Sequence, residues 1–187
     1  MELFAERGYE QTTVADIARR AGLTPRTFFR HYSDKREVLF AGSEGLQAEM
    51  VAAVDEVPAG AAPMRAIAAA LDAAAAALGQ RRDFSRQRQQ VIAAHGELQE
   101  RELLKLASLS SALRAALLRR GVTEPDASLG AEAGMAVFRV AFERWLVDGR
   151  GRELSDVMRE CMEGLGALTS TARRRSARPP KVVATQR

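Results

Sequence analysis

Three features of the chain predict an all-α fold. Apolar residues recur at the three-to-four-residue helical period along most of its length, the alternating β-branched runs that mark strands are absent, and breaks rich in Gly, Pro or Asp divide the period into about nine segments. With 187 residues, of which 47% are hydrophobic, there is enough apolar material to bury a core in one or two domains.

Each segment has its own boundary signals. A first helix in MELFAERGYE ends at Gly8. Thr12 or Thr13 caps a second, whose Val14, Ile17, Ala18 and Ala21 fall on one face, and Asp16 is placed to close a capping box with Thr13. Gly22 supplies the left-handed backbone that ends this helix, Leu23 anchors the turn, and Thr24 caps a third helix with Pro25 in its first turn. A fourth helix is expected to open at Lys35, after the break at Asp34, and to run as a connecting lever to the VPAGAAP linker at 57–63. The alanine-rich AIAAALDAAAAAL is a strong helix former with a thin apolar face. Breaks at 79–83, Gly96, 121–126 and 148–153 then separate helices five to nine, a larger bundle.

The third helix separates its side chains by chemistry. At about 100° per residue, Arg26, Arg30, Thr27 and His31 cover one arc, while Phe28, Tyr32 and Phe29 cover another and can lock the helix onto the second. This is an expected helix-turn-helix, with its polar arc free to enter a major groove and its N-terminus suited to phosphate. Arg26 and Arg30 suit bidentate pairing with guanine; Thr27, His31 and Lys35 suit phosphate contacts that set register.

Charge placement supports the same reading. Arg173, Arg174, Arg175, Arg178, Lys181 and Arg187 form a tail without acids; set apart from the net charge of +4, they leave the remainder at −2. Within residues 19–36, six cations face only Asp34. A basic patch on an acidic body is what an oriented polyanion contact requires. The tail itself is expected to be disordered, with nonspecific DNA attraction as a possible addition.

The stretch LFAERGYEQTTVADIARRAGLTPRTFFRHYSDKREVLF resembles the DNA-binding domain of TetR-family transcriptional regulators. The elements carrying the resemblance are LF-x-x-x-GY, the TT that starts helix two, DIA-x-x-AG, TFF-x-H-Y and the DK after it. The resemblance implies a ligand-responsive repressor: a homodimer on a double-stranded, pseudo-palindromic operator, whose C-terminal halves pair and enclose a small-molecule inducer, expected to be largely apolar. It also implies a phosphate contact at Thr13, recognition-helix contacts at Pro25, Arg26, Thr27, Phe29 and His31, and a phosphate-binding lysine at Lys35. With Thr24 at the cap and Arg30 on the polar arc, these form the expected DNA-contact set. Two departures stand out: Phe29 replaces the tyrosine usual in the family, and the first helix is shorter than the family's.

The domains expected on this basis are a DNA-binding unit at 1–42, a ligand and dimer unit at 43–171, and the basic tail at 172–187. Residues Met64, Ile67, Leu71, Phe84, Arg88, Val91, Leu103, Leu104, Phe138 and Trp145 are candidates to line an apolar pocket. Arg88 belongs to RRDFSRQRQQ at 81–90, read first as a solvated charged face and second as a site for an acidic headgroup. Helices eight and nine carry more apolar surface than one bundle face needs, which predicts a four-helix dimer interface around Met135, Phe142, Leu154, Met158, Cys161 and Leu165.

Other functions fare poorly. Two histidines sixty-four positions apart and one cysteine give neither a metal site nor a nucleophile triad, so no catalytic residue, metal or cofactor is expected. No apolar run reaches the roughly 18 residues of a membrane span, and the acidic N-terminus lacks a signal-peptide pattern, so a cytoplasmic protein is expected. The competing readings are an architectural DNA-binding protein without ligand and, less favoured, a helical carrier or enzyme.

Overall fold

The computed structural model describes residues 1–149 and 151–176, with side chains up to 170. Among them are nine α-helices: α1 (Glu2–Arg7), α2 (Val14–Arg20), α3 (Pro25–His31), α4 (Ser43–Glu56), α5 (Pro63–Gly79), α6 (Arg82–Ala93), α7 (Gly96–Arg119), α8 (Asp126–Val147) and α9 (Leu154–Ser176). No strand occurs among the described residues.

The expected lever from Lys35 is interrupted. Residues Lys35–Phe40 form a 3-10 turn capped by Asp34, whose carboxylate accepts from the Arg36 and Glu37 amides. The α-helix starts only after Gly42, whose φ of +91° is the left-handed backbone a glycine adopts without strain. Likewise α9 continues past Thr171 to Ser176, into the first residues of the segment read as tail; 177–187 lie outside the described residues.

Among the described residues, two apolar clusters hold the chain together. The larger fills the body between α4, α5, α7, α8 and α9 around Ile67, Leu113, Leu117, Phe138, Trp145 and Met158. Helices α5 and α8 approach closely because Gly134 presents no side chain to Ile67. The smaller cluster joins the N-terminal helices to the body: Phe4, Tyr9, Leu39 and Phe40 pack with Ile92 of α6 and Leu98 of α7. The N-terminal unit therefore completes its core with residues of the bundle.

Arginines close the ends of the body helices. The last carbonyls of an α-helix have no partner within it. Arg82 of α6 donates to Trp145 O and Asp148 O, and Arg86 to Leu146 O at 3.0 Å, closing α8. Arg120 donates to Val54 O, Val57 O and Pro58 O and closes α4. Read in the sequence as solvated charge or a headgroup site, Arg82 and Arg86 instead join helices that lie about sixty residues apart in the chain.

Candidate nucleic-acid interface

The helix-turn-helix is set by local chemistry. Thr13 caps α2: its hydroxyl accepts from the Asp16 amide at 3.2 Å, while the Asp16 carboxylate accepts from the Thr13 amide at 3.2 Å. The adjacent Thr12 does different work, buried with its hydroxyl donating to Gly8 O at 2.7 Å and Leu3 O at 3.2 Å. At the far end of α2, Leu23 N donates to Ala18 O and Gly22 N to Arg19 O, the paired bonds of a Schellman stop, with Gly22 at φ +68°. Thr24 then caps α3 by accepting from the Thr27 amide at 3.2 Å.

This turn fixes which face of α3 is presented. Phe28 is 2% exposed and Tyr32 half-buried against it, so the helix is held from one side. Arg26, Arg30 and His31 are exposed on another side, with Thr27 half-buried beside them, and no hydrogen bond or ion pair among the described residues engages Arg26. Phe29 departs from the expected locking role. It is 56% exposed, and its ring meets Phe28 edge-on at 5.5 Å rather than packing beneath the helix.

Lys35 is half-buried and partly committed. Its ammonium donates to Tyr9 O at 2.9 Å and Glu10 O at 3.3 Å and lies 4.2 Å from the centre of the Tyr9 ring. The lysine thereby fixes the loop before α2. Burial, followed by a hydrogen bond to Glu97, pushes the Tyr9 phenol well above its ordinary value, so it stays a donor to that carboxylate.

A polar seam ties this unit to the body. Arg88 of α6 donates to Leu39 O at 2.6 Å and pairs with Glu102 at 3.1 Å; burial pushes its guanidinium down from the ordinary value, which the Glu102 charge opposes. Glu37 accepts from Arg101 at 2.6 Å and faces Lys105 at 3.5 Å. His95 closes the group, with Nδ1 donating to Val91 O at 2.8 Å, its ring centre 4.8 Å from that of Tyr9, and Nε2 3.7 Å from Glu10.

Residues 1–41 match the sequence family described as bacterial regulatory proteins, tetR family, and residues 61–170, more than half the chain, match the MftR C-terminal domain of such regulators. The chain belongs to the TetR family. It is 41% identical over 83 residues to the HTH-type transcriptional regulator TcmR of Streptomyces glaucescens, a stretch covering 44% of this chain and 35% of TcmR, so it spans about a third of that relative. Among solved structures, FadR of Thermus thermophilus, a TetR-family repressor crystallised with lauroyl-CoA, aligns with TM-score 0.56 at 24% identity over 100% of this chain and 95% of its own. PfmR, a TetR-family regulator of the same organism, aligns with TM-score 0.49 at 28% identity over 87% and 91%. The match over residues 1–41 spans the helix-turn-helix described above.

In this TetR-family chain half of the residues expected to line a pocket pack together in the body core, and the other half lie elsewhere. Ile67, Leu71, Phe138 and Trp145 are packed in the body core, with Met64 against it. Val91 joins the smaller cluster, and Arg88 serves the seam. Leu103 and Leu104 are 59% and 62% exposed, and Phe84 lies at the surface under Arg81. Surface clefts occur at Leu3, Arg7, Asp16, Arg19 and Arg20 and at 60–63 with 120–126; neither includes any of these residues.

The expected dimer set also divides. Leu154 and Met158 are 1% exposed and Met135 8%, all within the chain's own core, with Phe142, Cys161 and Leu165 half-buried against it. The outward face of α8 carries Leu129, Ala133, Ala136, Val140 and Val147 instead, spaced four, three, four and seven residues apart, and α9 exposes Gly164 and Leu168. The two faces of α8 are both apolar, so periodicity alone did not choose the inner one.

Proposed function

We propose that this regulator is a repressor that binds a pseudo-palindromic, double-stranded operator as a homodimer and is released by a largely apolar small molecule. The observation that carries the DNA reading is the arc of exposed Arg26, Arg30 and His31, with half-buried Thr27 beside them, on a helix anchored through Phe28. Arg26 and Arg30 read guanines by bidentate pairing; Thr13, Thr24, Pro25, Thr27 and His31 lie along the phosphates; Lys35 keeps a third donor for phosphate beyond its two carbonyl bonds. Residues 1–42 form the reader and 43–171 the effector unit. The outward faces of α8 and α9 pair across a two-fold axis, since a regular stripe of small and apolar side chains suits helix-on-helix packing.

Release follows from geometry. Successive major grooves lie roughly 34–36 Å apart, so a displacement of a few ångströms between readers weakens both contacts at once. The seam at Arg88, Glu37 and His95, with the shared apolar cluster, supports transmission from α6 and α7 to the reader. The inducer class to test first is an acyl thioester of the kind bound by FadR.

Binding-site selection from random duplexes, run with wild type and Arg26→Ala, tests the reading. A palindromic consensus whose base preference shifts in the variant is expected, with sedimentation giving a dimer. An unchanged consensus at wild-type affinity would remove α3 as the reading helix.

A further inference from the structure

Phe29 is the feature of the reading face that guanine and phosphate contacts leave unused. It follows Arg26 by three residues, so those two side chains are neighbours about 60° apart round α3, with Arg30 about 40° beyond Arg26 on the far side. Its ring is 56% exposed, whereas Phe28 beside it is 2% exposed. The two rings meet at 90° with centroids 5.5 Å apart, an edge-to-face arrangement that orients the outer ring before any partner arrives. Phe29 has no hydroxyl with which to reach a phosphate.

Base edges in the major groove present hydrogen-bond donors and acceptors and one apolar group, the C5-methyl of thymine. An oriented apolar ring beside Arg26, on the edge of the arginine arc, has that methyl as its matching partner in the groove. We propose that Phe29 is a specificity-determining residue that packs on the C5-methyl of one thymine in each operator half-site. This rests on α3 being the reading helix.

The test uses the full-length protein and its selected operator, with deoxyuridine replacing each thymine in turn, symmetrically in both half-sites. Uracil keeps the pairing edge and lacks only the methyl. At one position the replacement is expected to weaken wild-type binding about fourfold per half-site, the value of one buried carbon. Phe29→Ala should bind thymine and uracil versions of that position equally, and Phe29→Leu should retain part of the discrimination. A consensus without thymine in the half-site, an absence of any methyl-sensitive position, or a methyl effect that persists undiminished in Phe29→Ala overturns the proposal. If Arg26→Ala shifts the consensus while no methyl effect couples to Phe29, this assignment alone fails; if Arg26→Ala leaves the consensus unchanged, the recognition-helix reading fails.

Discussion

Gly134→Ala tests how tightly the body is packed. A Cβ built at Gly134 falls 2.6 Å from Ile67 Cγ2, about 1 Å inside an ordinary carbon–carbon contact of roughly 3.5–4.0 Å. Ile67 is fully buried, and its γ2 methyl hangs directly from the branched Cβ, so it cannot swing aside without moving the other branch into the core. Overpacking of this kind costs about 1–3 kcal/mol. Alanine returns roughly 0.5–1 kcal/mol in helix propensity, leaving a net loss of up to about 2.5 kcal/mol. For a chain of this length each kcal/mol lowers Tm by about 2–4 °C. The assay is urea and thermal unfolding followed by far-UV circular dichroism at fixed protein concentration. Gly45 of α4 is the internal control: a Cβ there meets nothing within 4 Å, so Gly45→Ala should stabilise by roughly 0.5–1 kcal/mol. Adding Ile67→Leu to Gly134→Ala removes the β-branch and should recover part of the loss. If Gly134→Ala stabilised the protein as Gly45→Ala does, the close α5–α8 approach would be refuted.

If the proposed pairing through the outward face of α8 holds, Val140→Glu should sediment as a monomer where wild type sediments as a dimer, with the chain's own stability within about 0.5 kcal/mol, whereas Met158→Ala should cost about 2–5 kcal/mol because its side chain lies in the body core. Lys35→Met should lower stability by about 1–2 kcal/mol through loss of the Tyr9 and Glu10 carbonyl contacts, besides weakening all operators alike in fluorescence anisotropy. Hydrogen bonding from Arg36 holds the Asp34 carboxyl below its ordinary 3.8, so its contribution is present above that value and is lost as pH falls through the lower folded value; Asp34→Asn should flatten this part of the acid-unfolding profile. Arg88→Met should raise amide hydrogen exchange around Leu39–Gly42 and weaken operator binding without altering base preference, since the residue acts on the reader from behind.

The helix-turn-helix was legible because its determinants are local. The Thr13–Asp16 capping box, the Gly22 stop and the Thr24 cap each involve residues within five positions, so sequence order already specifies their geometry. The same held for the helical class and for the breaks between helices. Gly42 was the local signal passed over, and it divides the expected lever into a 3-10 turn and α4.

What the sequence determined by itself, then, is where the chain turns and which short helix presents arginines beside aromatics. Tertiary structure decided the choices among equivalent faces. On α8 two apolar stripes satisfy the helical period, and only the fit of Gly134 against Ile67 and of Phe138 and Trp145 into the body selects the inner one. It also decided what the cations do: Arg82, Arg86 and Arg120 serve helix-end carbonyls about sixty residues away, and Arg88 serves Leu39 O, 49 residues away. A carbonyl left open at a helix end is invisible in residue identity, because every residue carries one; which guanidinium reaches it depends on how the helices stack.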